Sequence, residues 1–141
     1  MNFAPLLIAF ALTASCAPGA PQIEIGDAWA RATAPGQSRG AAYATIVNRG
    51  AADRLVGVAS DAGSATLHRS HHDGGVARMR MLPELPIPAG SSVALAPGGT
   101  HVMLTRLAAP LAIGADFPLT FRFAGAGPRT VKVTVVAAGA R

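Results

Sequence analysis

Two stretches near the end of the chain, LTFRF at 119–123 and VKVTV at 131–135, decide the fold class. In both of them apolar residues alternate with polar ones, so each would present one apolar and one polar face as an extended strand. The intervening sequence GAGP at 125–128 has the glycine and proline typical of a turn. The two stretches therefore predict a pair of β-strands, each with one face buried.

The same pattern of short alternating runs extends over the rest of the chain from Gln22 onward. Sixteen glycines and eleven prolines interrupt these runs and disfavour long helices. The predicted strands cover residues 23–30, 42–48, 55–60, 65–70, 76–82, 92–95, 101–106, 119–124 and 130–137. Eight or nine short strands at this spacing predict an all-β fold, an antiparallel sandwich or Greek-key β-barrel. The aromatic residues assigned to its core are Trp29, Tyr43, Phe117, Phe121 and Phe123.

Composition limits the kind of partner that this protein can have. A chain of 141 residues is expected to form one domain with one core. Its net charge of +5 is carried by scattered arginines, and aromatic residues make up only 5% of the chain. Nucleic-acid binding usually needs a basic stripe or a stacking platform, so no nucleic-acid partner is expected. A basic face suits an acidic protein partner better.

Cysteine usage excludes several classes of site. The only cysteine is Cys16, which lies in the region of a predicted leader. This excludes a disulfide framework, a thiolate zinc site, a redox C-x-x-C motif and a blue-copper site.

The first residues have the features of an export signal. No charged side chain precedes Glu24, and the apolar run at 3–12 is followed by the small residues TASCA at 13–17. Such a run is too short for a comfortable membrane span, and Pro5 disfavours a buried helix. We predict a signal peptide at 1–17, a short tether at 18–22 and the β domain at 23–138. Two alternatives are possible for this leader: cleavage after Ala17, or lipidation of Cys16, which ends the stretch LTASC at 12–16.

Histidine and methionine carry the chemistry of this chain. After Met1, every histidine and every methionine falls between positions 68 and 103. These residues are His68, His71, His72, Met79, Met81, His101 and Met103. Residues i and i+2 of a strand share a face, so His101 and Met103 are predicted to project together, with Val102 and Leu104 toward the core. A Greek-key fold could bring these segments to one end of the barrel.

Imidazole combined with thioether indicates a soft metal ion. Cu(I) is a d¹⁰ ion that such ligands suit, whereas a hard cation would require oxygen ligands. A thioether cannot form a disulfide and has no proton to lose, so it serves outside the cytoplasm. The export signal and the lack of cysteine in the domain agree with a cysteine-free copper site.

The sequence also resembles the periplasmic copper A chaperone family, called PCu(A)C or DUF461. The spacing His68-x10-Met79-x21-His101-x-Met103 matches the motif of that family. The flanking segments ATLH at 65–68, DGGVARMR at 73–80 and PGGTHVML at 97–104 match as well. The resemblance covers about residues 22–137.

Membership would imply a cupredoxin-like β-barrel that binds one Cu(I) at an exposed site formed by His68, Met79, His101 and Met103. It would also imply delivery of copper to the copper A centre of cytochrome oxidase, beside Sco-type thiol proteins. Many members have a further methionine at the position of Ser70, and the His- and Met-rich tail of some members is absent. His71 and Met81 are therefore candidate auxiliary ligands. Otherwise His71 and His72 are expected in a solvated turn, and Met81 in packing.

The predicted protein is an exported, monomeric copper chaperone rather than an enzyme, located in the periplasm or on the outer face of the envelope. A lipid on Cys16 would be its only membrane attachment. A copper-buffering protein without an oxidase partner is the first alternative. A copper enzyme and a metal-free β-sandwich interaction module are the others. Arg69, Arg78, Arg80 and Arg106 flank the predicted site and could contact an acidic partner or be an ordinary soluble face.

Overall fold

The computed structural model describes residues 19–141, so the predicted signal peptide and Cys16 lie outside the described residues. The described chain contains ten strands and no helix, which confirms the all-β prediction. Between residues 19 and 141 there is accordingly no helix of the length and apolarity that a membrane span requires. The strands are β1 (Ile23–Arg31), β2 (Gly40–Asn48), β3 (Asp53–Ser60), β4 (Ser64–Asp73), β5 (Val76–Met81), β6 (Leu85–Ile87), β7 (Ser92–Leu95), β8 (Thr100–Thr105), β9 (Asp116–Phe123) and β10 (Gly127–Val136).

All ten strands belong to one sheet with the order β5-β4-β8-β2-β1-β10-β9-β3-β6, and β7 pairs with β2. Residues 61–63 join β3 directly to β4, with a bridge between Ser60 and Gly63. Since β3 and β4 lie near opposite ends of this order, the sheet curls around a single core. One pair, β1 with β10, is parallel, so the expectation of antiparallel pairing throughout is wrong at this point. Parallel neighbours cannot be joined by a short turn, and these two strands are nearly a full chain length apart.

The hairpin of β9 and β10 shows why alternation predicts the fold. Phe123 pairs with Gly127, and the register continues to Asp116 opposite Thr134. The inward residues of both strands are buried, namely Phe117, Leu119, Phe121, Phe123, Val133 and Val135. All of them belong to the main hydrophobic cluster, which confirms the core assignment of the three phenylalanines.

One strand of this sheet was not predicted. β6 has only three residues, with Pro86 in the middle, and it pairs with β3 at an end of the sheet order. Proline cannot donate a ladder hydrogen bond and is therefore favoured on edge strands, where one side has no partner. Leu85 and Ile87 nevertheless bury their side chains in the core, so tertiary packing rather than local propensity forms this strand.

A buried carboxylate ties the start of β3 to the turn between β9 and β10. Asp53 accepts hydrogen bonds from the backbone N–H groups of Gly125, Ala126 and Arg54, at 2.7, 2.9 and 2.8 Å. Burial by itself would raise the pKa of this carboxyl, but the three backbone donors and the nearby Arg54 charge together lower the pKa below 3.8. The folded state therefore favours the ionised carboxylate.

We expect Asp53→Asn to lower the free energy of unfolding by about 1–3 kcal/mol near neutral pH, because an amide nitrogen would face the Ala126 donor. A lowered pKa in the folded state stabilises the fold above the unfolded pKa of 3.8, and this stabilisation is lost as pH falls through the folded pKa. Urea denaturation across this range should show the wild type approaching the variant at low pH. Asp61→Asn, an exposed matched change, should alter stability little; an equal loss there would contradict this assignment.

Candidate metal centre

A tight turn sets the register of the predicted metal-binding hairpin. Gly74 and Gly75 separate β4 from β5, and both have positive φ, 57° and 82°. Two central residues with φ > 0 define a type I′ turn, which glycine adopts without steric cost. The turn is closed by Asp73 opposite Val76, and pairing then runs back to His68 opposite Met81.

The two histidines of the predicted site lie opposite each other on neighbouring strands. His68 of β4 pairs with His101 of β8 on one side and with Met81 of β5 on the other. Directly paired residues of adjacent strands project to the same face. Met81, His68 and His101 therefore form one row across three strands.

The other two predicted ligands lie on that same face. Met79 is opposite Ser70, and Met103 is opposite Thr66. Both are two residues from the row along their strands, so their side chains project in the same direction. The structure thus brings His68, Met79, His101 and Met103 onto one face of β5-β4-β8, which we call the metal face. His68, on the middle strand, lies between the two methionines.

His101 is held in a state suited to metal binding. Its side chain is only 4% exposed, and its Nδ1 lies 3.1 Å from the carbonyl oxygen of Gly99. A carbonyl only accepts hydrogen bonds, so Nδ1 is the donor in this contact, and in the neutral imidazole the lone pair is then on Nε2. Such a second contact fixes both the tautomer and the orientation of metal-ligating histidines.

His68 has a less restrictive partner. Its Nδ1 lies 3.2 Å from the Thr66 hydroxyl oxygen, which can accept or donate. When Thr66 accepts, the Nε2 lone pair of His68 is available, as it is in His101.

The spacing of the two rings lies at the upper limit for two imidazoles that bind a single ion. The ring centres of His68 and His101 are 6.2 Å apart. An imidazole nitrogen binds a d¹⁰ ion such as zinc at about 2.0–2.1 Å, which places each ring centre roughly 3 Å from the ion. Two imidazoles on one ion therefore have centres up to about 6 Å apart.

Two aromatic residues extend this face away from the methionines. Tyr43 on β2 lies 6.4 Å from the His101 ring, and Trp29 on β1 lies 4.5 Å from Tyr43 between ring centres. Both are buried, as predicted from the sequence, although neither belongs to the main hydrophobic cluster. The guanidinium groups of Arg31 and Arg141 lie over Tyr43 and Trp29, at 5.8 and 5.2 Å from the ring centres. These residues form a wall beside His101.

Sequence reasoning did not find this wall because its residues come from the two ends of the chain. Apolar alternation shows that Trp29 and Tyr43 are buried, but not on which side of the sheet. The Gly99 carbonyl and the Thr66 hydroxyl were missed as well. The sequence did offer a signal for these two partners. Each of them lies two residues before its histidine, and residues i and i+2 of an extended chain project to the same side.

The methionines of β5 are open to solvent. Met79 is 60% exposed and Met81 is 62% exposed, so the expectation that Met81 packs in the core is wrong. β5 is the terminal strand of the sheet order, and nothing among residues 19–141 pairs with its outer side. Met103 and His68 are half-buried. Solvent exposure therefore increases across the metal face, from the buried His101 to the exposed thioethers of β5.

The two remaining histidines are placed differently from expectation. β4 extends to Asp73, so His71 and His72 lie on a strand and not in a turn, because the turn consists of two glycines only. Alternation puts His71 on the opposite face of the hairpin from His68, beside Arg69. His71 is thus not among the side chains that the register brings together.

In the described part of the chain, ligands other than thioethers are too few to form a metal site. Between residues 19 and 141, no three side chains of His, Cys, Asp or Glu are close enough to hold a metal ion. A site on the metal face would therefore depend on thioether ligands.

Fold and site together define a small β-barrel with histidine and methionine on one open sheet face. A family model described as "Putative lipoprotein LpqE-like" matches residues 23–135, so the chain belongs to the LpqE-like family. "Putative lipoprotein Lxx21020" of Leifsonia xyli subsp. xyli (strain CTCB07) is 34% identical over 116 residues, covering 80% of this chain and 69% of that protein.

Solved structures of similar fold carry the name of the resembled family. The copper-bound PCuAC domain from PmoF2 is 30% identical, with a TM-score of 0.69 over 84% of this chain and 96% of that domain. The solution structure of CuI-DR1885 from Deinococcus radiodurans is 34% identical, with a TM-score of 0.64 over 91% of this chain and 85% of that one. The resemblance to the PCu(A)C family and its cupredoxin-like fold is thereby confirmed.

Proposed function

We propose that this protein is an exported copper chaperone that binds one Cu(I) through His68, Met79, His101 and Met103. The observation that carries the proposal is the strand register of β5-β4-β8. It sets two imidazoles opposite each other with thioethers on the same face. The copper-bound PCuAC domain from PmoF2 and CuI-DR1885, both similar in structure, support the choice of ion.

The chemistry of these side chains favours Cu(I) over harder ions. Two neutral imidazoles and two thioethers bring no negative charge, which suits a soft monovalent ion better than Mg²⁺ or Ca²⁺. Thioethers also bind in an oxidising compartment, where thiols would pair. Copper is the cargo of this protein, and no residue is proposed as a catalytic group.

The exposure gradient of the metal face suits transfer of the ion. His101 is buried and oriented by Gly99, so it would stay fixed during binding. Met79 is largely exposed, so an incoming ligand of a partner could replace its sulfur first. A fully enclosed ion could not be passed on in this way, whereas one on an open sheet edge can be.

We further propose delivery to the copper A centre of cytochrome oxidase, with a Sco-type thiol protein as the second partner and a monomeric chaperone in the periplasm or on the outer face of the envelope. A copper-buffering protein is the alternative, favoured by the openness of the site. Deleting the gene separates the two proposals. Loss of oxidase activity that added copper restores supports delivery, and copper sensitivity with normal oxidase activity supports buffering.

The two methionines of β5 provide a matched test of the ligand set. We expect Met79→Leu to weaken Cu(I) affinity about tenfold or more, because leucine keeps the volume but removes the sulfur ligand. Met81→Leu is the control, since it lies on the same strand and face with the same exposure, and its effect should be below about threefold. Titration of Cu(I) against a competing chelator measures both variants. A larger loss for Met81→Leu would move the ligand to the position opposite His68.

A further inference from the structure

The hairpin of β4 and β5 carries a second cluster of polar side chains, mostly arginines, on the face opposite the metal face. Arg69 lies opposite Arg80, and His71 lies opposite Arg78. By alternation these four residues project away from the metal face. We call them the arginine face. Leu67, two residues before Arg69, is buried in the core, so the hairpin leaves the barrel between these two positions and opens its inner side to solvent.

Nothing within residues 19–141 neutralises these charges. The described ion pairs use other cations, Arg49, Arg54, Lys132 and Arg141. Asp73 shares the face at the tip of the hairpin, but it lies in no ion pair within 4.0 Å. Like charges directly opposite on neighbouring strands destabilise a sheet. Three arginines on one exposed face therefore point to an anionic ligand.

The face has a hollow suited to such a ligand. A cavity of about 330 Å³ is lined by Arg69, His71, Arg80 and Leu82. The Nε–H of Arg69 donates to the Thr100 hydroxyl at 3.2 Å, which holds one edge of this guanidinium in place. Guanidinium groups bind phosphate oxygens through paired hydrogen bonds, with a fixed geometry that ammonium groups lack.

The position of the hairpin favours membrane phospholipids as the source of the phosphate groups that the arginine face would bind. β2 and β4 run in the same direction, because both are antiparallel to β8. β2 ends at Asn48, which pairs with Ile23 at the start of β1. The tip of the hairpin and the entry of the chain into the barrel thus lie toward the same end. Val76, which is 53% exposed on the arginine face, adds an apolar side chain at that tip.

We propose that the arginine face binds the phosphate groups of anionic phospholipids, an inference that rests on the proposed export and takes lipidation of Cys16 as the first membrane attachment. One acyl signal holds a protein weakly at a membrane, and a basic patch is a common second attachment. Since the arginine face and the metal face are opposite sides of one hairpin, this contact turns His68 and the methionines away from the bilayer. Copper ligands would then face incoming partners.

Vesicle co-sedimentation tests the proposal with the full chain carrying Cys16→Ser, which cannot be lipidated. Vesicles of phosphatidylcholine measure binding by the apolar leader, and vesicles with added phosphatidylglycerol measure the charge-dependent part. Each arginine near an anionic surface contributes about fivefold in affinity. Arg69→Gln with Arg80→Gln should therefore lower binding to anionic vesicles about 25-fold. The matched control, Arg39→Gln with Arg122→Gln, removes the same charge from exposed positions elsewhere and should change binding less than fivefold.

Each other result overturns the proposal. Equal losses in the two double variants would show a general charge effect, and no preference for anionic vesicles would show that lipid is not the ligand. Loss of binding to an acidic polyglutamate peptide without loss on vesicles would assign the face to an acidic protein. Inorganic phosphate and sodium chloride are compared at the same ionic strength. If phosphate displaces the protein from vesicles no better than sodium chloride does, the face has no phosphate site. Cu(I) titration of the Arg69/Arg80 variant should be unchanged, so a failed copper site and a failed arginine face give different results.

Discussion

His101→Ala is expected to lower the affinity for Cu(I) by about 100-fold or more, the largest effect of any ligand substitution. His101 is the one buried histidine of the metal face, and its Nδ1 contact with Gly99 orients the free Nε2. Loss of a partner that merely orients a ligand typically costs 10–100-fold in metal affinity, and removal of the ligand itself costs at least as much. Competition with a Cu(I) chelator measures the change.

His71→Ala is the control for that experiment. It removes an imidazole from β4, the strand that pairs with β8, but from the opposite face to the row of His68 and His101. We expect its Cu(I) affinity to match the wild type. If His101→Ala bound copper as tightly as His71→Ala does, the metal face would not be the binding site.

Leu104→Ala is expected to lower the free energy of unfolding by about 2–5 kcal/mol while leaving the Cu(I) affinity of the folded protein unchanged. Leu104 is fully buried in the main cluster, so its truncation loses apolar burial and leaves a cavity. Met103, its neighbour on β8, projects to the other face of the sheet. Chemical denaturation and chelator competition, both at a temperature where the variant is folded, separate the two quantities.

Met103→Leu is the counterpart of Leu104→Ala, because it changes the neighbouring residue on the other face of β8. This volume-conserving change should cost less than about 1.5 kcal/mol in stability but weaken Cu(I) binding about tenfold or more. The opposite pattern, with copper affinity lost in Leu104→Ala and kept in Met103→Leu, would mean that the two faces of β8 have been assigned the wrong way round.

Alternation along single strands predicted most of the fold correctly. The inward side chains of β9 and β10 are buried as expected, and Val102 and Leu104 face the core. Such positions can be read locally because one strand face meets apolar neighbours and the other meets water. β6 escaped detection because the three residues Leu85–Ile87 are too few to establish a period of two, and their burial depends on β3.

The site was predictable in composition but less so in arrangement. The clustering of histidine and methionine between positions 68 and 103 indicated which side chains are the candidate ligands. The placement of Met81 opposite His68, and of His71 on the reverse face, followed only from the register that the Gly74–Gly75 turn imposes. A shift of one residue in that turn would turn the side chains of β5 over relative to β4 and put its arginines on the face of His68.

By itself the sequence determined the all-β class, the buried alternating positions and the soft, cysteine-free character of the candidate ligands, because these depend on residue types and on a local period of two. Only the tertiary structure decided that β1 runs parallel to β10, that Trp29 and Tyr43 form a wall beside His101, and that the arginines occupy the reverse of the metal face. These features join segments far apart in the chain. Their arrangement comes from closing the sheet around one core, which no local stretch of sequence specifies.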